Sequence, residues 1–376
     1  MTQPEALAPP PGALQRLKLY FEQNEREVAV VFFIGGFLFD ILTVGRIDSW
    51  FTIGQQAVYL AVILAALLQL FFEQGRPAPV LAQMPRLKRW TYEYRSALVH
   101  FLLGAQLNLY AIFFFKSSSL LVSFGFLAFL VALLVANESR RFKALGLHVK
   151  FALLGLCLLA FAACVVPIFA GSIGTGVFLL SMLAGCLPLA GAAWWVRRAR
   201  PELFAQARRQ ILLPLGCVLI GFLASYLLRL IPPVPLSIPF IGVYHAVERT
   251  EQGYRLSHER AWWRVWHNGD QQFRAQPGDK VYVYFRIFSP ARFADRVQMR
   301  WFLKPEGRGW ALQDTIPINI VGGREQGFRG YGVKTNFQPG PWKVQVETTD
   351  GREIGRVYFA LETAPVEARI LGTDLD

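Results

Sequence analysis

Ile231-Pro232-Pro233-Val234-Pro235-Leu236-Ser237-Ile238-Pro239 divides this chain into two parts with different hydrophobic periods. Four prolines in eight residues (232–239) block helix continuation and favour stiff polyproline II. Upstream lie seven apolar runs, 28–47, 52–72, 97–115, 119–136, 147–169, 174–196 and 210–231, each of 18 to 23 residues. A helix crossing about 30 Å of hydrocarbon needs roughly 20 apolar residues, so every run is long enough to span. Backbone groups in lipid must be satisfied within their own segment, which makes these runs helices. The first run predicts an uncleaved signal anchor, being long and free of a small-residue cleavage site before the next span.

Downstream the period falls to two. Val281, Val283, Phe285 and Ile287 alternate with Tyr282, Tyr284, Arg286 and Phe288, and Val297, Met299, Trp301 and Leu303 alternate with Arg296, Gln298, Arg300 and Phe302. This pattern predicts strands with one buried face. Further strands are expected at 243–250, 253–257, 261–267, 315–321, 328–334, 342–348 and 353–361, the last two joined by an Asp350-Gly351 turn. Eight or nine short strands between Gly/Pro/Asp turns predict an antiparallel, immunoglobulin-like sandwich. The expected organisation is a cytoplasmic segment (1–27), a seven-helix transmembrane domain (28–231), a proline-rich linker (232–242) and an exported β-sandwich (243–376).

Basic residues orient this arrangement. In the stretches between apolar runs, Lys and Arg number 17 in one alternate set and 2 in the other. Positive charge is retained in the cytoplasm during insertion, so the N-terminus is expected inside and residues beyond the seventh span outside. The net charge of +13 also divides unevenly. Residues 1–242 hold 20 Lys+Arg and 10 Asp+Glu, a net +10, whereas 243–376 hold 19 and 16, a net +3. Most of the basicity is topogenic charge beside anionic lipid, and nucleic acid is excluded as a partner.

Cys157, Cys164, Cys186 and Cys217 all lie inside apolar runs, as small buried hydrophobes do. The exported part has no cysteine and, with about 134 residues, is long enough to fold on its core alone. No Cys/His spacing marks a metal or redox site, and His245, His258 and His267 lack ligand spacing. No cofactor is implied. Enzyme signatures such as Gly-x-Ser-x-Gly or His-Glu-x-x-His are missing, which disfavours an enzyme.

Three groups of residues are candidate sites. Asp40 lies about 18 Å into its span, where an ionised carboxylate costs several kcal/mol unless paired or wetted. With Arg46, Asp48, Lys116 and Arg229 at outer helix ends, it outlines a polar cluster that is either an ion site or a structural salt bridge. Tyr282, Tyr284, Arg286, Arg296 and Arg300 make a basic-aromatic ligand face if their two strands pair, suited to glycan, lipid headgroup or protein. Arg324 and Arg329, in the glycine-rich run 322–331, outline either a strand connection or an anion-binding loop.

Several stretches together resemble one bacterial family. They are the run Gly36-Phe37-Leu38-Phe39-Asp40-Ile41-Leu42-Thr43-Val44-Gly45-Arg46-Ile47-Asp48, then Phe115-Lys116-Ser117-Ser118-Ser119, Asn137-Glu138 and Ile231 to Leu236. In the exported part they are Gly322-Gly323-Arg324, Phe328-Arg329-Gly330-Tyr331, Gly340 to Thr348, Gly351 and Ile354-Gly355-Arg356. The resemblance is to multi-pass inner-membrane proteins ending in a small exported domain of unknown function. It implies a Gram-negative inner membrane and a periplasmic domain, and no activity or cofactor. The expected function is a non-enzymatic membrane protein whose periplasmic domain binds an envelope component, whether protein, glycan or lipid. The alternatives are a transporter or channel using Asp40, and a lipid- or glycan-modifying membrane enzyme.

Overall fold

The computed structural model describes residues 47–74, 85–117, 120–138, 145–264, 266–290, 294–322, 327–365 and 369–376. The chain divides into two compact units, Met1–Gly45 and Arg46–Asp376, and the described residues belong to the second.

Its first half is helical: α1 (Trp50–Glu73), α2 (Arg86–Lys116), α3 (Leu120–Glu138), α4 (Leu147–Ala170), α5 (Thr175–Ala199) and α6 (Pro201–Leu227). Among the described residues five of these are long and apolar enough to cross a membrane, not seven. The sixth, α3, carries the shorter apolar stretch Phe124–Asn137, and the expected span 28–47 lies outside the described residues. The helix α6 opens with a 3₁₀ turn at Pro201–Leu203 and passes through a π turn at Arg208–Leu212.

Successive helices run antiparallel. Glu73 at the end of α1 pairs with Arg95 of α2 at 2.6 Å, Trp50 at its start meets Phe169 edge-on, and Phe72 meets Trp195. Gly185 lets α5 approach α4 closely, since a Cβ there would lie 3.0 Å from the Leu158 carbonyl oxygen. Buried polar side chains bridge helices: Asn137 of α3 donates to the His100 carbonyl (3.1 Å), and Gln106 of α2 donates to the Gln56 carbonyl of α1 (3.2 Å). In an apolar medium such pairs fix helix register.

The second half is all β. Its strands are β1 (Ser237–Tyr244), β2 (Ala246–Thr250), β3 (Gly253–His258), β4 (Gln272–Ala275), β5 (Val281–Phe288), β6 (Ala294–Leu303), β7 (Ala311–Val321), β8 (Phe328–Lys334), β9 (Gly340–Thr348), β10 (Glu353–Thr363) and β11 (Gly372–Leu375). A three-stranded sheet, β1-β5-β8, faces a five-stranded sheet, β4-β10-β9-β6-β7, across a core that includes Val283, Phe285, Trp301, Trp342 and Phe359. A third sheet, β11-β3-β2, covers the other face of β1-β5-β8 through Leu256, Tyr244 and Tyr284. The expected β9–β10 hairpin is present, with Glu347 opposite Glu353 across the turn. The strand expected at 261–267 is not found: residues 261–264 and 266–267 belong to a loop between β3 and β4.

Strand directions give the domain a near end and a far end. The near end carries the β9–β10 turn, Asp295 and the start of β1, and it is docked on the bundle. Arg352, at the turn, is buried with its guanidinium 3.4 Å from the centroid of the Tyr226 ring. It donates to the carbonyls of Tyr226 (3.1 Å) and Ile231 (3.3 Å) and pairs with Asp350 (2.9 Å). The Ile173 amide, in the α4–α5 turn, donates to Asp295 at 2.9 Å. Arg229, at φ 57° just past α6, lays its guanidinium against Gly351. The proline segment is therefore no free spacer: residues 231–236 are buried at this junction, and β1 starts at Ser237.

Candidate functional site

The far end of the domain is about 26 Å from the near end, eight residues of strand at about 3.3 Å each. There the chain leaves β3 at His258, loops out over residues 259–271 and re-enters at β4. The neck of this loop is closed by its own side chains. Asp270 accepts from the Glu259 amide at 2.9 Å, and the Asp270 amide donates to the Val243 carbonyl at 2.8 Å. Gly269, at φ 65°, passes so near the β1 backbone that a Cβ would lie 2.1 Å from the Val243 oxygen, which reserves this position for glycine. Arg260 donates to the His267 carbonyl and pairs with Asp374 of β11 at 3.1 Å. Two turns, from the Arg264 amide to the Ala261 carbonyl and from the His267 amide to the Arg264 carbonyl, fold the loop between its ends. The result is a compact Ω-type loop.

Behind the neck is a buried charged cluster. The His245 imidazole stacks on the Phe273 ring at 4.0 Å, with Asp270 at 3.5 Å and Glu259 at 3.8 Å from its Nε2. Arg369 ties the cluster together, pairing with Glu259 (3.2 Å) and Asp279 (2.7 Å) and donating to the Arg274 carbonyl (2.6 Å). Burial, helped by the Arg369 charge, lowers the His245 pKa to about 4, and burial raises that of Asp270 to about 7. Between those two values the proton of this pair rests on the carboxyl.

In front of the neck the loop holds three tryptophans in solvent: Trp262, Trp263 and Trp266 are 89%, 50% and 65% exposed. Trp263 and Trp266 lie 5.8 Å apart between centroids, and the Arg264 guanidinium stands 5.0 Å over the Trp263 ring. Beside them opens a crevice of about 740 Å³, whose walls include Gln271, Gln272, Arg274, Glu362 and Thr363. That size is typical of ligand sites, and the wall is mainly polar.

The sequence-predicted residues lie elsewhere. Asp40, Arg46 and Arg324 are outside the described residues. Asp48, Lys116 and Arg229 sit at helix ends on the side of the bundle that carries the β domain. The expected ligand face does not form, because its two strands belong to different sheets: β5 pairs with β1 and β8, and β6 with β7 and β9. Tyr284 is fully buried under the third sheet, donating to Asp376 at 2.7 Å; burial and that carboxylate hold its phenol above the usual range. Arg286 pairs with the same carboxylate at 2.7 Å, and Arg329 lies 3.5 Å from it, so both guanidinia serve a structural anchor for β11. Tyr282 packs near Tyr331 at 6.0 Å. Arg296 is exposed, and Arg300 pairs with Glu347 at 3.1 Å on the outer face of the five-stranded sheet.

The segment from β6 to β10 also has a relationship outside this chain. Residues 294–361 match the family described as Protein of unknown function (DUF2914). The tryptophan loop lies before that matched segment. None of the curated proteins matches the chain. Among solved structures, an immunoglobulin-like protein from Pseudomonas aeruginosa is similar at 9% identity and TM-score 0.22, covering 34% of this chain and 98% of its own. A Pseudomonas fluorescens alkylpurine DNA glycosylase bound to DNA with an abasic site analog is similar at 12% identity and TM-score 0.21, covering 85% and 99%. Superpositions this loose carry no argument, and the sandwich is read from the strand order itself.

Proposed function

We propose that this chain is a seven-pass protein of the bacterial inner membrane, N-terminus in the cytoplasm, whose immunoglobulin-like β domain acts in the periplasm as a non-enzymatic binding module. The charge distribution supports the orientation. Arg95, Arg197, Arg198, Arg200, Arg208 and Arg209 lie at the end of the bundle opposite the β domain, where cytoplasmic charge belongs.

The observation that carries the binding role is the tryptophan loop. Three indoles held in water by a closed neck have no structural use at that place, and clustered exposed apolar surface marks an interaction site. They lie at the end of the domain opposite its docked end, so they are not an interfacial belt for the membrane that holds the protein. The docked near end supplies a fixed base, and the far end presents the loop to the envelope. A photo-reactive residue in place of the exposed Ala261 is expected to cross-link to an envelope component in living cells, and one in place of Leu312 on β7 is not. Equal capture at both positions, or none at 261, contradicts the reading.

A further inference from the structure

We infer that the ligand of this loop and crevice is a glycan, specifically a chain of β-1,4-linked N-acetylhexosamines such as the strands of the cell wall. This rests on the far end being the binding end, and the chemistry of its surface selects among the possible ligands.

A phosphate or other strong anion requires several unpaired cations converging on one point; of the arginines in this wall, Arg260 and Arg369 are neutralised by Asp374, Glu259 and Asp279, Arg264 stands over the Trp263 ring, and Arg274 is a single cation. An acyl chain requires an apolar groove, and the crevice wall is mainly polar. What remains is a ligand with flat apolar faces and polar edges. Pyranose rings whose substituents are all equatorial have that shape: axial C–H groups cover both faces, and hydroxyls line the rim. The C–H faces suit the electron-rich indoles of Trp262, Trp263 and Trp266, and the edges suit side chains that both donate and accept. Gln271 and Gln272 provide such groups in the crevice, whose wall reaches the tryptophan loop at Ala261 and Arg264, and a primary amide is the natural partner of an acetamido substituent. A crevice of about 740 Å³ accepts several sugar units, and its open form suits an internal stretch of polymer. The closed neck means the loop backbone is held before the ligand arrives, which spares the entropy of ordering it. A domain fixed on the outer side of the membrane, with its tip held away from the bilayer, meets wall polymer first.

The test uses the full chain in lipid nanodiscs, mixed with purified insoluble peptidoglycan or with sucrose-loaded phosphatidylethanolamine/phosphatidylglycerol vesicles. Wild-type protein is expected to sediment with peptidoglycan and not with vesicles. Soluble chitohexaose is expected to compete and to change the tryptophan fluorescence. Trp262→Ala, at the most exposed indole, is expected to weaken binding at least about tenfold, or about 1.4 kcal/mol, with unchanged thermal unfolding, and Trp262→Tyr to restore most of it. Failure of the wild type to sediment with peptidoglycan, sedimentation of Trp262→Ala at wild-type affinity, or tryptophan-dependent pelleting with vesicles overturns the glycan assignment. If that assignment falls while position 261 still cross-links in cells, the binding role of the far end stands with another ligand. Loss of both removes the role as well.

Discussion

Replacing Arg352 by alanine is expected to release the β domain from the bundle and to cost on the order of 2–4 kcal/mol. The buried guanidinium satisfies the Tyr226 and Ile231 carbonyls, pairs with Asp350 and covers the Tyr226 ring. Its removal leaves the Ile231 carbonyl and the Asp350 carboxylate without this donor, and the Tyr226 carbonyl with the Arg229 amide alone, at a junction closed by buried Ile231, Val234 and Leu236. Lysine does not substitute, because one ammonium cannot serve two carbonyls and a carboxylate while lying flat on a ring. The expected readout is a thermal transition lower by roughly 10 °C in Arg352→Ala and only partly restored in Arg352→Lys, with new protease cleavage between 231 and 237. Arg356→Ala, which removes a pair with Glu353 inside β10, is expected to leave the junction uncut. An Arg352→Ala protein that melts and resists protease like the wild type contradicts the docking account.

The second large effect concerns pH. The His245 pKa is lowered by burial to about 4, so its neutral form contributes stability that is present above about 6.5 and lost as pH falls through about 4. The Asp270 pKa is raised by burial to about 7, so it contributes in the opposite sense: its stability is present below about 3.8 and lost as pH rises through about 7. Between about 4 and 6.5 the folded pair holds one proton, on Asp270, and the unfolded pair also holds one, on His245. The two dependences cancel, and the pair is silent in the wild type. Asp270→Asn keeps an acceptor for the Glu259 amide and removes one half of the balance. The variant is then expected to lose stability relative to wild type as pH falls from 6.5 to 4, at up to about 1.4 kcal/mol per pH unit and on the order of 3 kcal/mol in all. Urea unfolding at a series of pH values measures it. Parallel curves for the two proteins refute the proton placement.

What the sequence made legible follows from which forces are local. Apolar runs declare helices because lipid leaves the backbone no other partner, and Asp350-Gly351 between alternating strands declares a hairpin because both signals lie within a dozen residues. The alternation in β5 correctly marks Val283 and Phe285 as core. It does not reveal that a third sheet from distant segments buries Tyr284 on the other side, since non-local pairing leaves no trace in a period of two. The same limit separates Arg286 from Arg300: the alternations of β5 and β6 are alike, and only the tertiary fold assigns them to different sheets.

The tryptophan loop was hidden by its own composition. Trp262-Trp263-Arg264-Val265-Trp266 has the aromatic and β-branched content of a strand, but that preference expresses fit to a half-buried pleated surface, and among the described residues no strand pairs with it. The signal available in the sequence was Asn268-Gly269-Asp270, a turn element immediately after the aromatics. The neck that makes the loop a site depends on Asp270 meeting Glu259 and on Arg260 meeting Asp374, contacts over 11 and 114 positions. The first could be suspected from spacing; the second could not.

The most direct measurement of the central claim is oxidative footprinting of single tryptophans, in intact cells and in purified nanodisc-held protein, with brief hydroxyl-radical exposure. Trp262, Trp263 and Trp266 are expected to label strongly in the purified protein and several-fold less in cells, where the envelope ligand covers them. Trp310, 37% exposed and outside the loop, with its ring 5.8 Å from that of Tyr358 on β10, is expected to label equally in both. Equal labelling of all four residues in cells and in purified protein would show that nothing occupies the far end and would contradict the account.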